Sequence, residues 1–420
     1  MKNFRFKILK LPVIGRWFIL GSAVGTVAGI GAIIFFLMLQ GCEYMFLDNF
    51  VGLRVGETAG EPAFFGHATT EFKRWLLLIV PALGGLVSGY IVFKFAPEAS
   101  GHGTDAAIKA IHNKNGSIRW QVPIVKTIAS AITIGTGGSG GREGPIAQIG
   151  AGFASFFGNF LKLTDREKRI LTAAGMGAGI GAIFRSPLAG AIFASEVLYS
   201  SSDMEYEALL PSTITSIIAY SIFCSFFGWE PLFGTPDFEF RNPAELLGYT
   251  ALGFACAGFG WFYVNTFYRI HDIFHDMKMP NYIKPAIGGL LTGCIGFFIP
   301  QALTGSYPQI ELAMQNQLGI IFLLLLIFAK IYATSFSTGK LLCLVLEIKG
   351  TMSLNFMSSL IVIGSVRIMF LTFISSSTCR KNSPLCMGES LRPDTWLLYI
   401  VVLRKRRNAS VLTHIDGTSR

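Results

Sequence analysis

Charge is what this sequence has least of. Lys, Arg, Asp and Glu together make 14% of its 420 residues, against about 25% in an ordinary soluble domain. A globule of this size could not be coated with polar groups from so small a supply. That shortage excludes a soluble two-domain enzyme, and the apolar content excludes an intrinsically disordered chain. Cysteine is sparse and odd in number, at 7, which excludes a secreted disulfide scaffold. None of the cysteines stands in a C-x-x-C pair, and the 6 histidines are scattered without metal-ligand spacing. No metal, no cofactor and no catalytic set is expected. What is abundant is apolar or small: 51% hydrophobic residues, with 37 Phe and 47 Gly. The composition predicts a polytopic membrane protein that is not an enzyme.

The formal charge of +10 is concentrated at one end. Residues 340–420 hold 11 basic and 4 acidic residues, leaving 24 basic and 21 acidic in the rest. A basic tail on a nearly neutral body is not the footprint of a nucleic-acid partner. It fits charge flanking a membrane.

Apolar stretches recur at 17–39, 75–96, 124–134, 145–160, 170–184, 187–198, 209–227, 244–267, 283–299 and 318–336. A helix crossing the hydrocarbon needs about 20 residues, which the first, second, seventh, eighth and tenth supply. The stretches between Ile124 and Leu198 run only about 11 to 16 residues and are separated by Gly and Pro clusters. They predict short helices whose ends are buried in protein or line a watery cavity, as at the midplane sites of transporters. The Lys/Arg bias of short loops sets orientation. Lys2, Arg5, Lys7, Lys10 and Arg16, with no acid among them, place the N-terminus in the cytoplasm, and the long first apolar run reads as a retained span in the cell membrane. Residues 41–74, with Glu43, Asp48, Glu57, Glu61 and Glu71, fit the outside.

The most informative stretch is Gly135-Thr-Gly-Gly-Ser-Gly-Gly-Arg-Glu-Gly-Pro145. Its G-x-G-x-x-G spacing lacks the βαβ context and the later acid that a dinucleotide fold needs. The glycines let backbone approach backbone or ligand closely, and Pro145 suits the first turn of a helix. Amides of such a turn lack helical partners and carry the positive end of the helix dipole, which makes an anion site without a full charge. Conduction favours that weakness, because an ion held too tightly never leaves. Arg142 and Glu143 are ionisable residues between apolar segments and therefore functional candidates. A carboxylate beside anion-binding amides is a tethered anion: ionised it blocks the seat, protonated or displaced it opens it.

Gly141-Arg-Glu-Gly-Pro145, with the run before it, resembles the ClC family of chloride channels and proton-coupled chloride transporters. Ala173-Ala-Gly175 leading to Phe184-Arg-Ser-Pro-Leu-Ala-Gly-Ala191 and Phe193-Ala-Ser-Glu196 is similar to a second family motif. Gly101-His-Gly-Thr-Asp105 stands where the family has its first anion-binding motif, and Lys330–Gly339 resembles the start of a later one. The resemblance covers residues 15–339. It implies an all-α polytopic fold of tilted and half-spanning helices in an inverted repeat, a homodimer in the lipid bilayer, and chloride, with or without protons, as the transported partner. It gives Glu143 the gating role. Gly141, Arg142, Gly144, Pro145 and Ile146, with Gly101, His102 and Gly103, fall at anion-binding positions. Val197 falls where proton-coupled members carry an internal glutamate, one past Glu196, which tilts the expectation toward a channel or a differently coupled transporter.

The family pattern stops after Gly339. The change is abrupt and reads as a shifted reading frame or an assembly artefact, with a divergent native ending as the alternative, so that 1–339 is a ClC-like transmembrane domain with its second repeat incomplete and 340–420 a non-matching apolar and basic tail. A voltage-gated-type chloride channel or an H+/Cl− exchanger with a glutamate gate is therefore the expected function of this lineage. A fluoride-exporting relative, against which Pro145 argues, and a non-transporting truncated membrane remnant are the alternatives.

Overall fold

The computed structural model describes residues 12–61, 64–66, 68, 70–198, 206–234 and 242–338. The expected frame shift and tail at 340–420 lie outside the described residues. The chain divides into a main unit, Met1–Glu239 with Ala251–Ile363, and a small one, Phe240–Thr250 with Gly364–Arg420, of which 242–250 are described.

The regular structure of the main unit is helical throughout the described residues: α1 (Val13–Cys42), α2 (Leu76–Phe95), α3 (Thr104–Asn113), α4 (Gln121–Gly135), α5 (Glu143–Phe160), α6 (Asp165–Ile183), α7 (Pro187–Glu196), α8 (Tyr206–Phe227), α9 (Glu245–Asp276, whose first turns belong to the small unit), α10 (Lys284–Phe298), α11 (Tyr307–Met314) and α12 (Ile320–Thr338). Among the described residues, five helical stretches are long and apolar enough to cross a bilayer: Ile14–Val51, Leu76–Phe95, Tyr206–Phe227, Glu245–Asp276 and Ile320–Thr338. The chain is an all-α, multi-pass membrane protein.

The expected helices are all present, with corrected ends. α1 does not stop near Leu39 but runs into a π-helical segment, Glu43–Val51, closed by Gly52 at φ 77°. α5 and α6 are 18 and 19 residues long, above the expected 11 to 16. α6 gains its extra turn from polar residues, because Thr164 and Glu167 form a reciprocal capping box that satisfies the first amides. Beyond that turn α6 is buried on nearly every side, its Ala173, Ala174, Gly175, Gly177 and Gly179 leaving neighbouring backbones close.

An internal repeat organises the rest. Pro81-Ala-Leu-Gly-Gly-Leu-Val-Ser-Gly89 of α2 reappears as Pro285-Ala-Ile-Gly-Gly-Leu-Leu-Thr-Gly293 of α10. The 3₁₀ turn Pro97–Ala99 and α3 reappear as Pro300–Ala302 and α11. The two glycine-rich helices pack on each other reciprocally. A side chain at Gly85 would strike the Pro285 carbonyl and one at Gly289 the Pro81 carbonyl, while Gly89 faces Tyr282 and Gly293 faces Leu77. Rising numbers on one helix meet falling numbers on the other, so the pair is antiparallel and self-complementary. A local two-fold axis between inverted repeats requires that pattern.

Candidate functional site

The glycine-rich turn that ends α4 is held by its own backbone and by distant partners. The Gly138 amide donates to the Thr133 carbonyl at 2.8 Å. The Ser139 amide donates to Ser337 Oγ at 2.9 Å, and the Gly140 amide to the Thr304 carbonyl at 3.3 Å. The turn is thereby tied to the end of α12 and to the segment before α11. It delivers Arg142 to the N-cap of α5.

Arg142 and Glu143 point apart. Arg142 is buried, 3% exposed at its side chain; its Nη1 donates to Glu61 Oε2 at 2.9 Å, and its Nη2 lies 2.8 Å from Oε1 as an ion-pair contact without hydrogen-bond alignment. Its guanidinium lies 4.5 Å from the Tyr307 ring centroid, 5.4 Å from that of Phe36 and 5.5 Å from that of Phe184. A planar, weakly hydrated cation suits such an aromatic cage. Glu143, by contrast, is exposed and accepts a hydrogen bond from the Tyr307 hydroxyl at 2.7 Å.

The structure brings the two sequence motifs together. Gly103 caps α3 at φ 115°, and a Cβ there would strike the Gly144 carbonyl; a Cβ at Gly144 would strike the His102 carbonyl. Only two glycines allow this backbone-to-backbone approach between the starts of α3 and α5. Gly144, Pro145 and Ile146 are buried, whereas Gly141 is exposed. The Ile146 amide donates to the Arg142 carbonyl at 3.1 Å, so the outward-facing donors of this first turn are the amides before it. His102 Nε2 lies 3.0 Å from Asp105 Oδ2 on the partly exposed side of α3. Burial, which raises the Asp105 carboxyl, is outweighed by the charge and hydrogen bond of His102, and its pKa falls below the ordinary carboxylate value.

Two lysines clamp the turns that precede the short helices. The Lys126 ammonium, fully buried, donates to the carbonyls of Ala99 and Gly101. The Lys330 ammonium donates to those of Ala302 and Thr304 and to Ser306 Oγ. Each cation stands where the repeat demands it, one per copy. Sequence reading gave no site role to Lys126, Lys330, Tyr307 or Glu61. The repeated P-x-A turn would have pointed to the first three; nothing local marks Glu61. Among the described residues no cluster of His, Cys, Asp and Glu could hold a metal.

Known proteins resemble this chain in sequence and in fold. Residues 84–342 match the family described as voltage gated chloride channel. Chloride channel protein CLC-e of Arabidopsis thaliana is 30% identical over 279 residues, 63% of this chain and 39% of that protein. The chain thus spans less than half the length of that relative. A slow cyanobacterial Cl−/H+ antiporter shares the fold at TM-score 0.61 with 19% identity, over 86% of this chain and 79% of the other. A CLC-type fluoride/proton antiporter does so at TM-score 0.62 with 19% identity, over 83% and 85%. With the family match covering more than half its length, and ending three residues after the pattern at Gly339 fades, the chain belongs to the voltage-gated chloride channel family.

Proposed function

We propose that this chain forms a transmembrane pathway for chloride, with Glu143 as its gate. The observation that carries the reading is the place of Glu143: an exposed carboxylate on the first turn of α5, beside the helix end that backs onto the His102–Gly103 turn. Amides and the dipole of α5 favour an anion there. The Glu143 carboxylate competes for the same seat while Tyr307 holds it by a single hydrogen bond. Residues 1–339 are the transporting domain on this reading, with the N-terminus cytoplasmic, two copies per assembly, and protons as a coupled substrate or as the agent that displaces Glu143.

Reconstituted liposomes test it. Chloride efflux above that of empty vesicles is expected, and Glu143→Gln raises it and removes its activation by acid. Efflux that keeps its pH dependence in Glu143→Gln defeats the gate. Faster fluoride than chloride efflux would favour the fluoride-exporting alternative, and no efflux of either ion would favour a non-transporting remnant.

A further inference from the structure

Arg142 poses a physical problem for a weak anion site. It carries a full positive charge on the residue next to Glu143, at the helix end where amides already favour an anion. In a low-dielectric setting such a charge would hold a halide too tightly to release it. The structure answers with a second buried group. Glu61 accepts one hydrogen bond from Arg142 Nη1 and pairs its charge with Nη2 at 2.8 Å, and the two side chains are 3% and 9% exposed. Water and salt scarcely screen either partner, so each is neutralised by the other.

Glu61 is held in place independently of Arg142. It lies on a non-helical strap, residues 52–61, bridged locally between Thr58 and Glu61. The Ala59 amide donates to Glu311 Oε2 at 2.9 Å, and Glu311 Oε1 receives the Gly234 amide at 3.1 Å. The Gly60 amide donates to the Leu232 carbonyl at 3.3 Å, while Arg185 Nη2 donates to the Gly60 carbonyl at 2.6 Å. A carboxylate on so well fastened a strap is a preset counter-charge. Among the described residues, the other groups in electrostatic reach of Glu143 are Lys330 and the phenols of Tyr307 and Tyr263, and Glu43 is in reach of Arg142 and Glu61. Lys330 is spent on two carbonyls and a hydroxyl.

We infer that Glu61 sets the strength of the anion site at the start of α5 by cancelling the charge of Arg142. It is a positioning residue, acting through Arg142 on how tightly the pathway holds its ion. The inference rests on the transport reading and deepens it. A purely structural ion pair would tether the strap and leave anion affinity alone. A counter-charge makes the two partners act with opposite sign.

Chloride titration calorimetry on the purified full chain, with liposome efflux beside it, separates these roles. Glu61→Gln is expected to bind chloride about tenfold more tightly, the effect of one uncovered charge worth about 1.4 kcal/mol, and to release it more slowly. Arg142→Gln binds about tenfold more weakly. The charge-free double variant returns to within about threefold of the unsubstituted chain, and Glu61→Asp keeps its affinity. Because the two single changes differ in sign, either one that folds decides the matter if the other does not. Unchanged affinity in a folded single variant, or shifts of the same sign in both, overturns the inference and leaves the transport reading standing. An unsubstituted chain that neither binds chloride nor carries it overturns the transport reading and this inference with it.

Discussion

The two copies of the repeated turn solve one problem with different residues. In the first, Gly101 at φ 87° and Gly103 at φ 115° take the left-handed backbone that the turn needs. In the second, Thr304 at φ 53° and Ser306 at φ 57° take it instead. Both turns are clamped by a lysine, Lys126 or Lys330, through the carbonyls two residues apart. They reach the start of α5 by different means. The first copy presses bare backbone against Gly144; the second sends the Tyr307 side chain to Glu143 and under Arg142. Glycine is therefore required where two backbones meet, and a strained side chain is tolerated where a side chain does the reaching. An inverted repeat fixes the scaffold, and divergence between its halves makes the site asymmetric.

The largest effect that would break this comparison lies at its glycines. Gly103→Ala adds a Cβ both to a backbone at positive φ and against the Gly144 carbonyl, neither of which can give way. A loss of at least about 3 kcal/mol, or no folded protein, is expected. Thr304→Gly relieves strain of about 1 to 2 kcal/mol. It also frees the unfolded chain by about 1 kcal/mol and removes a buried methyl worth about 0.8 kcal/mol, so the net change stays within about 1 kcal/mol. Thermal unfolding of the two variants side by side checks the contrast. Equal destabilisation would mean that the two turns carry the same constraint.

The lysine clamps come next. Lys126 is 1% exposed, and Lys126→Met leaves two carbonyls without their donor and out of reach of water. A loss of about 2 to 3 kcal/mol is expected. Lys330 is only partly buried, so in Lys330→Met water replaces the ammonium and the loss is about half as large. A larger loss for Lys330→Met would reverse the ranking of the two clamps. Unfolding midpoints in detergent, compared with that of the unsubstituted chain, give both numbers.

Legibility in the sequence depended on what leaves a local mark. The long helices were legible, since the hydrocarbon imposes a length that few charged residues interrupt, and α1, α2, α8, α9 and α12 lie where the apolar runs predicted them. The start of α5 at the glycine-rich turn was legible too, because glycines and Pro145 mark a helix end in sequence. The short helices α3 and α11 were not. They have 10 and 8 residues and carry Thr104, Asp105 and Lys109 or Gln309 and Glu311, which reads as loop. The polar first turn of α6 was readable from Thr164-x-x-Glu167 but fell outside the apolar run. Tyr307 and Glu61 stand 164 and 81 positions from their partners Glu143 and Arg142, so only the fold joins them. The repeat of Pro81–Gly89 in Pro285–Gly293 was present all along, and tracing it into the next turn leads from Gly103–Thr104 to Ser306–Tyr307.

The smallest effect concerns the pair that only the first copy has. His102 and Asp105 bridge on α3, where the second copy has Gly305 and Pro308. The Asp105 carboxyl is held below its ordinary value of 3.8, since the charge and hydrogen bond of His102 outweigh burial. A carboxylate whose pKa falls on folding stabilises the protein above its unfolded value and loses that contribution as pH drops through the folded one. The stabilisation is thus present at pH 5 and fades below about pH 4. Side chains 37% and 44% exposed are screened by solvent, which keeps it under about 1 kcal/mol. His102→Ala should lower the unfolding temperature slightly at pH 5 and by progressively less as the pH is taken below about 4. A deficit that persists unchanged into acid would show that His102 supports the turn by packing, as the second copy does without any charge, and the two copies would then differ only in how they touch α5.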